Sequence, residues 1–361
     1  MICLFLDAFK PEYVKYTRYI KELTKNSLYG ELEVPVGFTS ILASFFTGCY
    51  PDKHGVIDIF EKEEKPKKKI SNKWIVSFLN LLKNKRFFYT PLKLKEKKYF
   101  KSILTKAWVQ KGCLKIPTLF DVLEKNNISF TVIDWPNYYV NRRGGIFFDK
   151  SMKKAMKLAK HAKTKFVFVH FLDLDDLAHK YGVDSPEVIK KIKEIDNAVE
   201  VLSKKDKDLL IFSDHGMDNV EKSYNLKKRL DESGLKYGKD YIYFMGSTLA
   251  RFWFNNKSSE EKIRHMLLED KNGEIIDFKE YHLPKTCDLI FLAKFKTVFY
   301  PNFYNSTHRA MHGWSPKIQK AFYLISRESK KKQNAEIIDL LPHILKTLNL
   351  PQIRCDGSLI I

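Results

Sequence analysis

The chain predicts an α/β fold: a doubly wound, mostly parallel central sheet with helices on both faces. Three observations carry that expectation. Short apolar runs, bounded by polar residues, recur at 2–6, 129–134, 165–171 and 208–212. Amphipathic stretches of helical period lie between them, the longest from Pro186 to about Lys204. An acid or an acid–imidazole pair follows three of the apolar runs: Asp7, Asp175 with His179, and Asp214-His215. Ligands of a doubly wound sheet gather outside the carboxyl ends of its strands, so these residues are candidates for one site.

Taken in order, residues 2–6 form the first strand, and Pro11 is suited to opening a helix from Glu12 to about Thr24. Thr39 to Thr47 (TSILASFFT) predicts a short buried helix that Gly48 stops, with a Tyr50-Pro51-Asp52 turn leading out through His54-Gly55. A hydroxyl at a helix start is either a cap accepting a backbone N–H or a nucleophile favoured by the positive helix end. This stretch alone leaves both readings open. Helices are expected over Pro117–Asn127, Lys153–His161, Lys222–Ser233, Glu260–Leu268 and Ala335–Leu348. Extended chain is expected from Tyr241 to Phe254 and within 287–299 and 321–325. No internal repeat and no Gly/Ser linker divides the chain, so a single domain over 1–361 is expected.

Residues 61–105 stand apart. They hold Lys62, Lys65 to Lys69, Lys83-Asn84-Lys85-Arg86 and Lys93 to Lys98 around an amphipathic piece from Trp74 to Leu82. They predict a basic insertion capping the main domain, with weak contact to an anionic membrane surface as the alternative. The formal net charge of +21 favours anionic partners such as phosphorylated metabolites. A Lys-rich proteome would give the same excess, so charge selects no stable nucleic-acid partner. The five cysteines are scattered without a CxxC pair, which argues against a disulfide framework or a thiolate metal site and fits a reducing cytoplasm. No signal peptide and no membrane-spanning run is expected, since a span needs about 20 apolar residues.

Asp175 and His179 stand at i and i+4, on one face of a helical turn, where they could chelate one ion. Ser213-Asp214-His215-Gly216 sets an acid and an imidazole at a second strand end, and His308-Arg309-Ala310-Met311-His312-Gly313-Trp314 adds late imidazoles. Singly, each is more often a polar turn or a hydrogen-bonded surface group. Jointly, they form a carboxylate–imidazole ligand set of the kind that suits zinc or manganese.

At these residues the sequence resembles the alkaline phosphatase superfamily, in its type I phosphodiesterase/nucleotide pyrophosphatase branch. Phe5-Leu6-Asp7 and Thr47-Gly48-Cys49-Tyr50-Pro51-Asp52-Lys53-His54-Gly55 are similar to that branch's early motifs. So are Asp175-x-x-Ala178-His179-x-x-Gly182, Ser213-Asp214-His215-Gly216-Met217, His312-Gly313-Trp314, Asp339 to Leu345 and Asp356-Gly357. The resemblance implies an alkaline phosphatase-like sheet and two divalent ions, zinc or else manganese. Asp175, His179 and His312 would hold one ion; Asp7, Asp214, His215 and the nucleophile's oxygen would hold the other. Counting back from Thr47-Gly48 without a gap puts the family's nucleophile on Phe38, which cannot serve. A shift of one residue gives Thr39, and a shift of two gives Ser40; Thr39 better fits the first helical turn. The sulfatase motif is missing, because residues 38–42 contain neither Pro nor Arg.

The implied activity is cleavage of a phosphodiester or pyrophosphate bond in a small anionic substrate, a nucleotide or an activated head group, through a phospho-threonine intermediate. A phosphoryl or phosphoglycerol transferase, or a catalytically weak homologue binding lipid or nucleic acid, are the alternatives. Trp135, Tyr139, Arg142 and Arg143, together with 61–105, are expected to shape the leaving-group pocket. Asp196, on the long helix, reads as a solvated acid or as a residue supporting a ligand from behind.

Overall fold

The computed structural model describes residues 1–37, 39–58, 60–64, 99–102, 114–133, 144–147, 152–303, 308–326, 328 and 331–360. Its central sheet contains β1 (Ile2–Leu6), β2 (Ser27–Glu33), β3 (Phe130–Ile133), β4 (Gly144–Phe147), β5 (Phe166–Phe171), β6 (Leu209–Phe212) and β7 (Ala321–Ser326). They lie in the order β2-β7-β6-β1-β5-β3-β4, with short strands at 331–332 and 335–336 added along β2. β6, β1, β5, β3 and β4 run parallel, while β7 is antiparallel to both β6 and β2. The mostly parallel sheet expected from the sequence is therefore present.

The alternation of strand side chains divides the core into two layers. Cys3 and Phe5 of β1 pack with Phe168 and Phe212 under α1 (Thr39–Thr47), the Leu119–Lys125 helix and the Leu340–Thr347 helix. Ile2, Leu4 and Leu6 face the other way, onto the Met152–His161 helix, α2 (Asp173–Tyr181) and α3 (Pro186–Ser203). Every residue of β1 is buried, as a strand covered on both faces requires. Phe45 of α1 stacks on Phe212 at 4.2 Å, and Phe46 meets Phe168 at 5.5 Å, which seats the helix on the sheet.

Several elements differ from the sequence expectation. The helix expected over 12–24 is broken into a 3-10 turn at Pro11–Tyr16, a short helix at Tyr19–Leu23 and another 3-10 turn at Thr24–Asn26. Asp196 explains the break. It is buried, and its carboxylate accepts the backbone N–H groups of Arg18, Tyr19 and Ile20 at 2.8–2.9 Å. It is a capping acid for a helix distant in sequence, not a solvated one. The Tyr50-Pro51-Asp52 turn is the start of a four-residue helix, Pro51–His54. Residues 222–233 split into a strand, Lys222–Tyr224, and a helix, Leu226–Asp231. The stretch 241–254 is a hairpin of Tyr241–Met245 and Leu249–Phe254. With Leu289–Ala293 and Gly273–Ile275 it forms a separate four-stranded antiparallel sheet with its own core. The closing helix is shorter than expected, Leu340–Thr347, preceded by a 3-10 turn at Ile337–Asp339.

Most of the basic stretch 61–105 lies outside the described residues, as do Trp135, Tyr139, Arg142 and Arg143. The two ends of the stretch are described: Phe60–Lys62 pairs antiparallel with Phe100–Ser102. Arg251 of the second sheet anchors this pair from within the core, donating to Asp58 Oδ2 at 3.2 Å and to the Phe60 carbonyl at 2.7 Å.

Candidate active site

β5, β1 and β6 are neighbours and parallel, so the residues following them emerge side by side at one sheet edge. Asp7 directly follows β1, Asp175 stands in the first turn of α2 just beyond β5, and Asp214-His215 follows β6. A short pairing of Ala310–Met311 with Asp218–Asn219 delivers His312 to the same place. Topology thus gathers residues separated by some three hundred positions.

The donor atoms form two overlapping groups, each within 4.8 Å: Asp175, His179 and His312, and Asp7, Asp175 and His215. His179 Nε2 lies 3.4 Å and His312 Nε2 3.8 Å from Asp175 Oδ1. His215 Nε2 lies 3.5 Å from Asp7 Oδ1 and 3.3 Å from Asp214 Oδ2. The first group matches the set implied by the resemblance. In the second, Asp175 joins Asp7 and His215, while Asp214 lies against it through His215.

Backbone carbonyls aim the imidazoles. His179 Nδ1 contacts the Ala310 carbonyl at 2.8 Å, and His215 Nδ1 contacts that of Gly216 at 3.0 Å. A carbonyl only accepts, so Nδ1 carries a proton and Nε2 is the nitrogen turned toward the site. Gln319 braces the loops beneath. It accepts the Gly313 N–H at 2.9 Å and donates to Asp218 Oδ2 at 2.9 Å. Gly216 allows a close approach there, since a Cβ would stand 2.5 Å from the Lys320 carbonyl oxygen.

Burial first, then Asp7, pushes the Asp175 carboxyl up to about 6; burial, then Asp175, pushes Asp214 up to about 7. Asp7 is raised too, by burial and then Asp214. His312 is held well below the usual imidazole range by burial and then by His215, whose ring stacks on it at 3.6 Å. Asp7 Oδ1 and Asp175 Oδ1 are buried and accept no hydrogen bond. Crowded carboxylates, imidazole nitrogens turned toward them, and two buried carboxylate oxygens that accept no hydrogen bond fit divalent cations.

Thr39 opens α1, the position of a first-turn nucleophile or cap. Ser40 is fully buried, and its Oγ donates back to the Val36 carbonyl at 3.2 Å. The rest of the 47–55 motif is structural. His54 is buried; its Nδ1 accepts the Val56 N–H at 3.2 Å, so its Nε2–H donates to Ser44 Oγ at 2.9 Å. Asp356 accepts the Tyr50 N–H at 3.1 Å and donates its own N–H to the Gly48 carbonyl at 2.9 Å, closing the end of α1. His343 is buried in the closing helix, away from the metal-type groups, and packs there.

Two further histidines stand at the site, of which only His170 was not singled out by the sequence. His170, inside β5, contacts Asp7 Oδ2 through Nε2 at 2.9 Å. His308 sits against His179, ring centroids 4.4 Å apart, and lines a groove of about 540 Å³ with Asp176, Lys180 and Arg309. A lone histidine in a buried apolar strand carries no spacing signal; only the register that sets His170 beside Phe5 reveals it.

The chain is 27% identical over 237 residues to human ectonucleotide pyrophosphatase/phosphodiesterase family member 1, covering 59% of this chain and 23% of that protein. It is 23% identical over 252 residues to an uncharacterized pyrophosphatase/phosphodiesterase of Schizosaccharomyces pombe, covering 60% of this chain and 44% of that one. It therefore spans less than half the length of these relatives. Among solved structures, murine ectonucleotide pyrophosphatase/phosphodiesterase 5, as an inactive variant in complex with AMP, superposes with a TM-score of 0.75 at 15% identity, covering 99% of this chain and 97% of that one. The human counterpart also gives 0.75, at 15% identity and the same coverage. At that identity the likeness establishes the fold. The family's own sequence profile runs through residues 1–315, from the β1 acid to the His312 loop, and the chain belongs to the type I phosphodiesterase / nucleotide pyrophosphatase family.

Proposed function

We propose that this chain is a two-metal phosphohydrolase that cleaves a phosphodiester or pyrophosphate bond in a small anionic substrate such as a nucleotide. The observation that carries the reading is the meeting of Asp7, Asp175, His179, His215 and His312 at one sheet edge, in a chain of this family. The nucleotide class is supported by the AMP named with one structural neighbour.

In this reading Asp175, His179 and His312 would hold one ion, and Asp7, Asp214 and His215 would hold the other with the Thr39 oxygen, Asp175 standing within reach of both. Zinc fits the donor set, with manganese as the alternative. Two such ions supply charge neutralisation for the attacking and leaving oxygens and lower the pKa of a hydroxyl or a water. Thr39 Oγ attacks phosphorus; the Oγ–P bond forms as the bond to the leaving oxygen breaks. Water then attacks the same phosphorus, the Oγ–P bond breaks, and Thr39 recovers its proton. The helix start favours the anionic form of the attacking oxygen. Ser40 serves poorly as the nucleophile because its buried hydroxyl is committed to the Val36 carbonyl just before the helix.

The test is hydrolysis of nitrophenyl phosphodiesters and a nucleoside diphosphate ester by zinc-loaded wild type, Thr39→Ala and Ser40→Ala. Thr39→Ala should lose about a thousandfold or more in kcat, while Ser40→Ala keeps most of it. Loss confined to Ser40→Ala would move the nucleophile, and no turnover of any ester by wild type would overturn the reading.

A further inference from the structure

His170 occupies the penultimate position of β5, in register with Phe5 of β1. Its ring lies flat on that of Phe5, centroids 4.0 Å apart and planes 17° from parallel, and its side chain is only 6% exposed. The stack removes the ring's freedom to turn. Its Nε2 therefore points steadily at Asp7 Oδ2, 2.9 Å away. A carboxylate that ligates a metal is ionised and only accepts, so in that state the imidazole donates. The other oxygen, Oδ1, is buried, accepts no hydrogen bond, and faces His215 Nε2 at 3.5 Å.

We propose that His170 is a positioning residue that reserves Asp7 Oδ1 for a divalent cation by engaging Oδ2, making Asp7 a one-oxygen ligand of fixed orientation. The inference rests on the reading of Asp7 and His215 as metal ligands given above. A carboxylate with both oxygens free can swing about χ2 or chelate with both, and each alternative shifts the ion relative to its imidazole. Fixing Oδ2 removes both. Ligating carboxylates are commonly held by such partners, whose loss costs about 10–100-fold in metal affinity.

The experiment is titration of zinc alone into the metal-free full chain, in competition with a chromophoric chelator. Wild type is compared with His170→Phe, which keeps the stack, His170→Gln, which keeps a donor, and His170→Glu, which puts an acceptor there. His170→Phe should bind one of two ions about 10–100-fold more weakly, with His170→Gln close to wild type and His170→Glu at least as weak as His170→Phe. Wild-type affinity in His170→Phe would overturn the proposal, as would equal weakness in His170→Gln. Should His170→Phe fail to fold, equal binding by the Gln and Glu variants overturns it. Wild type binding no zinc would remove the metal reading itself; two ions bound with equal affinity by wild type and His170→Phe would remove only the role of His170.

Discussion

Asp175 belongs to both donor groups, with Oδ1 near His179 and His312 and a carboxylate oxygen within reach of Asp7 and His215. His179 belongs to one group. Asp175→Ala should therefore weaken binding of both ions, and His179→Ala mainly one, each by more than the ~10–100-fold typical of an outer partner. Two-step zinc binding curves separate these outcomes; equal effects of the two variants on the same single ion would contradict the shared role. His54 makes a different kind of prediction. Burial pushes its imidazole down to about 3, against about 6.5 in an unfolded chain. The folded state thus resists its protonation. The stability it contributes is full above pH ~6.5 and declines by about 1.4 kcal/mol per pH unit as pH falls toward 3. Unfolding free energies of wild type and His54→Gln should converge between pH 7 and 4, whereas a constant difference would show that His54 does not titrate with unfolding. The strand-end acids and the late histidine were legible residue by residue because each follows a recognisable run. His170 was not, since its partner is set by strand register.

The elements that place the site were also those most readable in the sequence. β1, β5 and β6 are continuous apolar runs, and α3 carries a Ser185 cap and Pro186 at its first turn. The region from Glu12 to Thr24 misled because its break depends on Asp196, far away in sequence. β2 was overlooked since its burial alternates and Gly30 sits against the Gln333 carbonyl, where a Cβ would stand 2.0 Å from the oxygen. Local patterns do not reveal such long-range pairings. Asp196→Ala should leave three backbone N–H groups without their acceptor and cost about 3 kcal/mol. Chemical unfolding measures this; a loss under about 0.5 kcal/mol, the range of ordinary surface changes, would show that the cap is dispensable.

For the whole molecule, the sheet edge accumulates carboxylates and imidazoles inside a chain whose formal charge is +21. A net positive charge favours anionic partners, while clustered carboxylates favour cations, so the two charge distributions suit different ligands. The second antiparallel sheet was not anticipated as a separate layer, because a hairpin at 245–249 and a continuous extended run look alike in composition. Binding cations only in the folded state stabilises it by RT ln(1 + [L]/Kd), about 2.7 kcal/mol per site at a hundredfold excess over Kd. Zinc should raise the melting temperature of the metal-free chain, and a chelator should reverse the gain. The most direct measurement is the number of zinc ions bound per chain at saturation, by calorimetric titration of the metal-free protein. Two ions per chain is the expectation for wild type, and fewer for Asp175→Ala. Zero or one in wild type would contradict it.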